Sequence, residues 1–414
     1  MAHPLDLPQI LISHPGRQHS HHTALALYEG TMLMRYYTSL WYKSGLFPYK
    51  LFDFFSGSGS LKFKNQCPTQ IDRNLVSQIP LYEIVHQGIG MFSKKSHEKL
   101  IHWRNTHFDR IVSEKLKIEP FDIFLGYETS SLCCFEEAKN LGKMTVLDLA
   151  IAHYAYQQKI YDLIGASGSP LEKHFVNRVN EIKEMELRLA DSIFVGSQFV
   201  KDTLVQAGVS KKKIFKIPYG FTPEAFKNKS NYRKDGLFKV LFVGSVMKRK
   251  GIQFLLRAIH DIKLPNAELT IIGAVGDGKS ILEEYRGCYK YLPYMNHEKL
   301  AEYYQDADIF VFPSLLEGFA QSVLEAMASG TPVVVTPNTG FGEIVRDNME
   351  GFVVPIMDST AIKEKILFFY ENRKKVEEMG KNARRRVEDY TWQRYGVCLR
   401  ETLMEVIKQK ETVV

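Results

Sequence analysis

Short apolar runs alternate along the chain with stretches whose apolar residues recur at helical spacing. That alternation predicts strands followed by helices, and hence parallel sheets in an α/β fold. In the first half, strands are expected at residues 10–13, 123–126, 145–147, 192–196 and 214–218. Pro15 and Gly16 break the first of these, and a helix over 21–28 follows, with Gly30 near its end. Further helices are expected at 181–190 and 199–207, the latter stopped by Gly208. The stretch 220–236, with Pro223, Asn228, Ser230, Asn231 and Asp235, is polar and poorly periodic and reads as an interdomain linker. A second series begins at once. Its strands are expected at 239–243, 268–272, 290–292, 309–312, 333–336 and 352–354, and its helices at 252–259, 281–286, 298–304 and 320–328. Each half therefore reads as a doubly wound, Rossmann-like sheet, in which ligands bind outside the carboxyl ends of the strands.

The length of 414 residues suits two domains of roughly 150–200 residues. Residues 1–13 lack a secretory pattern, and no apolar run reaches the roughly 18 residues of a membrane span, so a cytoplasmic protein is expected. Five cysteines without metal-ligand spacing fit a reducing compartment. A net charge of +7 suits an anionic small substrate or an anionic membrane surface and does not single out nucleic acid. Lys94, Lys95, Lys99, Arg104 and Arg110, interleaved with Ile101 and Trp103, fit either a solvated helix face or a basic amphipathic helix touching a membrane from the N-terminal domain.

The most informative segment is ADIFVFPSLLEGFAQSVLEAMASGTPVVVT, residues 307–336. It reads as strand, loop, helix, glycine stop and strand. The amides of Phe319, Ala320, Gln321 and Ser322 would lie in the first turn of the helix, without intrahelical acceptors, and suit a diphosphate. Gly318 lets the backbone approach a ligand closely. Glu317, in the loop, is placed to accept from sugar hydroxyls, and Glu325, about two turns further on, from both ribose hydroxyls. The loop after the first strand of this half, VGSVMKRKG, brings Lys248, Arg249 and Lys250 to the same sheet edge, where they would neutralise a leaving diphosphate. Taken alone, Glu317 and Glu325 would be ordinary surface carboxylates.

The E-x7-E spacing of Glu317 and Glu325, inside PS-x-x-EGF-x5-EAMA-x-G-x-PVV, resembles the retaining glycosyltransferases of family 4. So do AD-x-I-x-V-x-S (190–197), IPYG (217–220), FVG…KG (242–251) and IIG (271–273). The first half is similar more loosely, through HPGRQHSHHTALAL and LDLAIAH. The resemblance implies a GT-B fold: two Rossmann-like domains facing across a cleft, 1–220 for the acceptor and 221–391 for the donor, with 392–414 as a helix crossing back. It also implies a metal-independent reaction that retains anomeric configuration, with no cofactor beyond the nucleotide sugar. On this mapping Glu317 binds the donor sugar and Glu325 the ribose. The amides of residues 318–322, with Lys250, bind the diphosphate. His153 would face the sugar across the cleft, though a half-buried structural histidine is the plain alternative. Gly16 and Arg17 lie on the loop where the family receives acceptor or donor phosphate. Family members often carry arginine directly after the glycine of the lysine loop; here that donor-site position is Ser245, and Arg249 is the substitute cation. The base would contact residues 291–294, including Tyr294, which leaves uridine and guanosine open. The acceptor would be a glycan or a lipid-linked saccharide. No carboxylate pair is spaced for double displacement, so a front-face displacement is expected.

Other motifs compete. His14, His19, His21 and His22 invite a metal, but His21 and His22 are adjacent and point apart on a helix; acceptor contacts, His19 among them, are the other reading. Asp306-Ala307-Asp308 has the metal-binding pattern of the other large glycosyltransferase fold, but it precedes its strand, away from the ligand edge. GAVGDGKS, residues 273–280, satisfies the P-loop pattern and would make the protein an ATPase or kinase. Against this, no later strand ends in an aspartate suited to magnesium. A GT-B-like binding module without catalysis is the third reading.

Overall fold

A computed structural model describes residues 7–16, 18–41, 70–92, 97–166, 170–233 and 235–411; Arg17, Cys67, Lys94 and Lys95 lie outside the described residues. Among the described residues, seven parallel strands form the first sheet. They are β1 (Ile10–His14), β2 (Leu33–Thr38), β3 (Val76–Gln78), β4 (Ile123–Tyr127), β5 (Met144–Leu149), β6 (Ser192–Val195) and β7 (Ile214–Lys216), in spatial order β3-β2-β1-β4-β5-β6-β7. Their helices are α1 (Ser20–Glu29), α2 (Leu81–Phe92), α3 (His97–Leu116), α4 (Leu132–Asn140), α5 (Tyr154–Leu163), α6 (Pro170–Leu189) and α7 (Gln198–Gln206). The second sheet is also parallel: β8 (Phe238–Val243), β9 (Ala267–Ile272), β10 (Lys290–Leu292), β11 (Ile309–Phe312), β12 (Val333–Val335) and β13 (Gly351–Val353), in order β10-β9-β8-β11-β12-β13. Here the helices are α8 (Ile252–Ile262), α9 (Lys279–Glu284), α10 (His297–Asp306), α11 (Gln321–Ala328), α12 (Ser359–Glu371) and α13 (Arg373–Val387), and α14 (Trp392–Glu411) closes the chain.

Both faces of the first sheet are dry, which is why its strands read as continuous apolar runs. Ile10, Ile12, Ile123, Leu125 and Val146 point to one core, shared with Ala24 and Leu27 of α1 and Leu399 and Leu403 of α14. The alternate residues Leu11, Phe124, Leu147 and Leu149 point to the other, against Phe108 and Val112 of α3, Phe135 of α4 and Leu204 of α7. Each such side chain is worth roughly 1.5–3 kcal/mol when fully buried. The order of each sheet reverses beside its first strand. The switch points are therefore β1/β4 and β8/β11, and the loops at their carboxyl ends make the crevices.

Two expectations need correction. β2 and β3 are strands that the pattern did not suggest: Arg35 interrupts the first, and the second has three half-buried residues. Arg104 does not belong to a solvated basic face: it is largely buried, and its guanidinium donates to Glu83 at 2.6 Å. The stretch 220–236 joins the two sheets as a packed segment. Phe226 and Tyr232 are buried, the Lys229 ammonium donates to the Ala307 carbonyl, and burial pulls that ammonium's pKa down to about 8. At its start the chain passes its own return crossing. A Cβ on Gly220 would lie 2.3 Å from the backbone of Thr391 and Trp392, so only glycine fits. Beyond that crossing, α14 packs on α1, with Thr23 Oγ1 and the Tyr395 hydroxyl 2.8 Å apart and Arg400 donating to the Ala26 carbonyl at 2.7 Å.

Candidate active site

The β8/β11 crevice is built from two loops stitched together by their backbones. After β8 the chain makes a tight turn over Lys248–Lys250, ended by Gly251 in the left-handed region (φ 72°). A Cβ on Gly251 would sit 2.0 Å from the Pro313 carbonyl, so glycine is required both for the turn and for its contact with the loop after β11. Leu315 N–H donates to the Arg249 carbonyl at 2.8 Å, and the Arg249 guanidinium donates to the Leu316 carbonyl at 3.0 Å. This stitching brings three donors to one oxygen. Ser314 Oγ lies 2.7 Å from Glu317 Oε1, Arg249 Nη1 lies 3.3 Å away, and the Lys250 ammonium forms an ion pair with the same atom. Lys250 also lies over the Phe312 ring, 5.2 Å from its centroid. Burial lowers the pKa of Lys250, and Glu317 opposes that shift.

Loop 336–340 braces this arrangement from behind. Glu317 N–H donates to the Asn338 carbonyl at 3.0 Å and Ala320 N–H to the Thr339 carbonyl at 2.9 Å. The Asn338 side chain donates to the Leu315 carbonyl at 2.8 Å and to the Tyr156 hydroxyl at 2.9 Å. Ser314 and Asn338 were not singled out in the sequence. Ser314 sits inside the motif, and Asn338 lies in a Pro-Asn-Thr-Gly turn after a strand, a signal of a shaped loop. The bond at Ala320 also corrects an expectation: that amide is spent on Thr339. Among the described residues, the amides of Gly318, Phe319, Gln321 and Ser322 meet no backbone carbonyl outside the helix; Gln321 and Ser322 begin α11, while Gly318 and Phe319 lie in the loop before its cap at Ala320 rather than in its first turn.

The first domain closes over this loop. Ser197 Oγ donates to the Gly318 carbonyl at 2.6 Å, and a Cβ on Gly318 would lie 1.7 Å from the Ala150 carbonyl oxygen. Ala152, Ile160, Leu315 and Leu316 form a small apolar cluster across the junction. His153, buried at the start of α5, accepts from Ala155 N–H through Nδ1 at 3.2 Å. Burial lowers its pKa, so the ring is neutral with its proton on Nε2. At the far end of α11, Glu325 is 7% exposed and accepts from the Tyr304 hydroxyl at 2.9 Å. Ser245 is exposed at the end of β8, and Tyr294 is 54% exposed in the loop after β10.

Residues 224–386 match the family described as Glycosyl transferases group 1. The chain carries a group 1 glycosyl transferase domain. It is 37% identical over 144 residues to an uncharacterized glycosyltransferase of Methanocaldococcus jannaschii, a match spanning 31% of this chain and 36% of that protein. It is 29% identical over 238 residues to the capsular polysaccharide biosynthesis glycosyltransferase CapM of Staphylococcus aureus, spanning 52% of this chain and 61% of CapM. The chain thus spans about a third to three fifths of these two relatives. Anabaena HepE, solved in complex with UDP and glucose, superposes with a TM-score of 0.63 at 16% identity, covering 97% of this chain and 100% of that one. The two facing sheets are the GT-B fold.

The competing motifs lie outside the β8/β11 crevice or are used up within the fold. In loop 273–278, the amides of Gly276 and Gly278 both donate to the Val246 carbonyl, at 3.0 and 3.2 Å. Lys279 points to solvent, with its ammonium 3.7 Å from Glu283. A P-loop needs those amides and that lysine for phosphate. Asp306 pairs with Arg233 and Lys239, and buried Asp308 accepts from Lys239 N–H at 2.7 Å, at the amino end of β11. His14 is buried edge-on to Tyr127, and His22 stacks on Trp392 at 3.7 Å. Among the described residues no His, Cys, Asp or Glu cluster is arranged to hold a metal. His19 is 7% exposed, its Nε2 lies 2.7 Å from Asp148 Oδ2, and its ring leans on Tyr219 at 4.1 Å. Gly16 stays at the β1/β4 crevice, where a Cβ would meet the His14 ring at 2.8 Å. No helix among the described residues is long and apolar enough to cross a membrane.

Proposed function

We propose that the protein transfers a sugar from a nucleoside-diphosphate sugar to an acceptor hydroxyl, with retention and without a metal. The observation that carries this reading is the convergence of Lys250, Arg249 and Glu317 at the β8/β11 switch point, beside the open amides leading into α11. That is the charge pattern a sugar diphosphate needs: cations and amides for the diphosphate, a carboxylate for sugar hydroxyls. Glu325 receives the ribose, and the base lies toward Tyr294. The acceptor enters from the first domain, past Gly16. HepE's complex with UDP and glucose supports a uridine donor, and CapM's part in capsular polysaccharide synthesis supports a glycan acceptor.

In the reaction the bond between the anomeric carbon and the diphosphate oxygen breaks, and the diphosphate keeps the electron pair. Lys250, Arg249 and the amides hold that growing charge. The acceptor oxygen bonds to the anomeric carbon from the same face and passes its proton to the departing phosphate oxygen. His153, neutral and with Nε2–H available, donates to a sugar hydroxyl and moves no proton. Because the two domains meet at Gly318, water is kept from the loosened sugar.

The test is turnover of UDP-, GDP- and ADP-sugars by the full chain with saccharide acceptors, with the anomeric configuration of the product read by NMR. Inverted product removes the retaining mechanism. Abolition of activity by chelator, restored by a divalent ion, removes metal independence. ATP hydrolysis without sugar transfer would revive the P-loop reading.

A further inference from the structure

Glu325 is buried, but its surroundings are not uniform. Its Oε2 accepts from the Tyr304 hydroxyl, which lies wholly inside the fold. Its Oε1 lies 3.3 Å from Nδ1 of His297, whose side chain is 64% exposed against 9% for Glu325. A carboxylate only accepts, so the His297 Nδ1 carries the proton of this bond. His297 is the first residue of α10, and that start is fixed: the Asn296 side chain caps the helix by accepting from Lys299 N–H at 3.1 Å. Phe226 meets the imidazole edge-on, with ring centroids 6.0 Å apart. A rigid helix end thus holds an exposed donor against a buried carboxylate. The place is the carboxyl edge of the second sheet, three residues beyond Tyr294.

We infer that His297 is a positioning residue for ribose recognition: with Tyr304 it fixes the plane of the Glu325 carboxylate so that the free lone pair on each oxygen meets one ribose hydroxyl of the donor. This rests on the donor reading above. Each carboxylate oxygen has two lone pairs. Tyr304 and His297 take one from each, which leaves two parallel acceptor directions and matches the adjacent 2′ and 3′ hydroxyls. Without His297 the carboxylate turns about its last bond and holds one hydroxyl poorly. The bond also raises the pKa of His297, so the ring keeps its place on Glu325 as it protonates.

The measurement is the affinity of the full chain for UDP, GDP and ADP and for their 2′-deoxy counterparts, by calorimetry. Wild type is expected to prefer the ribonucleotide of the base it binds by about tenfold or more, as loss of a hydrogen bond to a charged group implies. His297→Ala should shrink that ratio to within about twofold to threefold, while 2′-deoxynucleotide affinity stays near wild type. His297→Gln, which keeps an N–H donor, should recover part of it. A His297→Ala protein that discriminates as well as wild type overturns the inference and leaves the donor reading standing. A wild type that binds none of the three nucleotides removes both.

Discussion

The Lys250 ammonium rests on the same Glu317 oxygen that Arg249 and Ser314 reach, at the switch point of the second sheet. On the proposed reading the carboxylate holds, before donor binds, the cations that would later hold diphosphate. Binding would then divide them: the diphosphate would take Lys250 and Arg249, and Glu317 would turn to the sugar. Glu317→Gln removes the charge and keeps the shape. Turnover is expected to fall at least about a hundredfold, the scale of losing one preorganised charge contact in a transition state. Affinity for the free nucleoside diphosphate should hold or rise, because the cations lose their competitor. Near-normal turnover in a steady-state assay would sink the assignment.

Lys250 carries a pH prediction. Its pKa is lowered chiefly by burial, so the ammonium loses its proton at lower pH than an exposed lysine would. Only the protonated form attracts diphosphate. Affinity for the nucleoside diphosphate should therefore be full at neutral pH and fall as pH rises through the lowered pKa. Bound diphosphate should pull that pKa back up. Lys250→Met should weaken binding about ten- to hundredfold at neutral pH and flatten the alkaline fall. Calorimetry from neutral to alkaline pH separates the two outcomes; a wild-type profile in the variant would take Lys250 out of the site.

How much of this was legible beforehand differs between the halves. The second sheet was readable because most of its strands carry short apolar runs punctuated by glycine and proline, and because Glu317 and Lys250 lie in loops of recognisable shape. β2 was missed because Arg35 breaks its apolar run, and β3 because three residues carry no period. The packed nature of 220–236 was hidden because Phe226 and Tyr232 anchor it at irregular spacing. The pairing of His19 was hidden for a different reason. A histidine on a glycine-bearing loop looks available, and only the tertiary fold brings Asp148, 129 residues away in sequence, to its ring. His297 had no sequence signal at all, since its meaning depends on which face of α11 carries Glu325.

Gly318 couples the donor loop to the first domain. A Cβ there would lie 1.7 Å from the Ala150 carbonyl oxygen and 2.6 Å from its carbon, and backbone does not yield as a side-chain tip does. Gly318→Ala must push the loop off the first domain. The expected stability loss is about 1–3 kcal/mol, in the range of overpacking. Transfer should fall more than nucleoside-diphosphate affinity does, because the cations and α11 belong to the second domain alone. Comparing kcat with the calorimetric Kd checks this; an unchanged kcat would mean that closure at Gly318 plays no part.

Lys279 offers a clean test of the rival nucleotide site. Its ammonium is exposed and lies 3.7 Å from Glu283, and the amides before it are bound to Val246. Lys279→Ala is expected to leave sugar transfer and nucleotide affinity unchanged within about twofold, as for exposed sites away from special features. A P-loop lysine could not be lost so lightly. A variant that lost ATP binding or turnover would reopen the kinase or ATPase reading.

His14, at the end of β1, and His22, in α1, are expected to make the fold sensitive to acid. Burial pulls His14 and His22 from 6.5 down to about 3. In the unfolded chain both take protons below pH 6.5; in the folded one they stay neutral to about pH 3. The unfolded state then binds more protons, so stability is full above pH 6.5 and falls as pH drops toward 3. The slope is at most about 1.4 kcal/mol per pH unit for each residue. His22 is the better probe, because its ring stacks on Trp392, within 4° of parallel, and ties α1 to α14. His22→Phe keeps the stack and removes the titration. Its Tm should match wild type near pH 7.5 and exceed it progressively below pH 6. If both proteins lose stability in parallel across that range, the acid sensitivity lies elsewhere, and His22 serves packing alone.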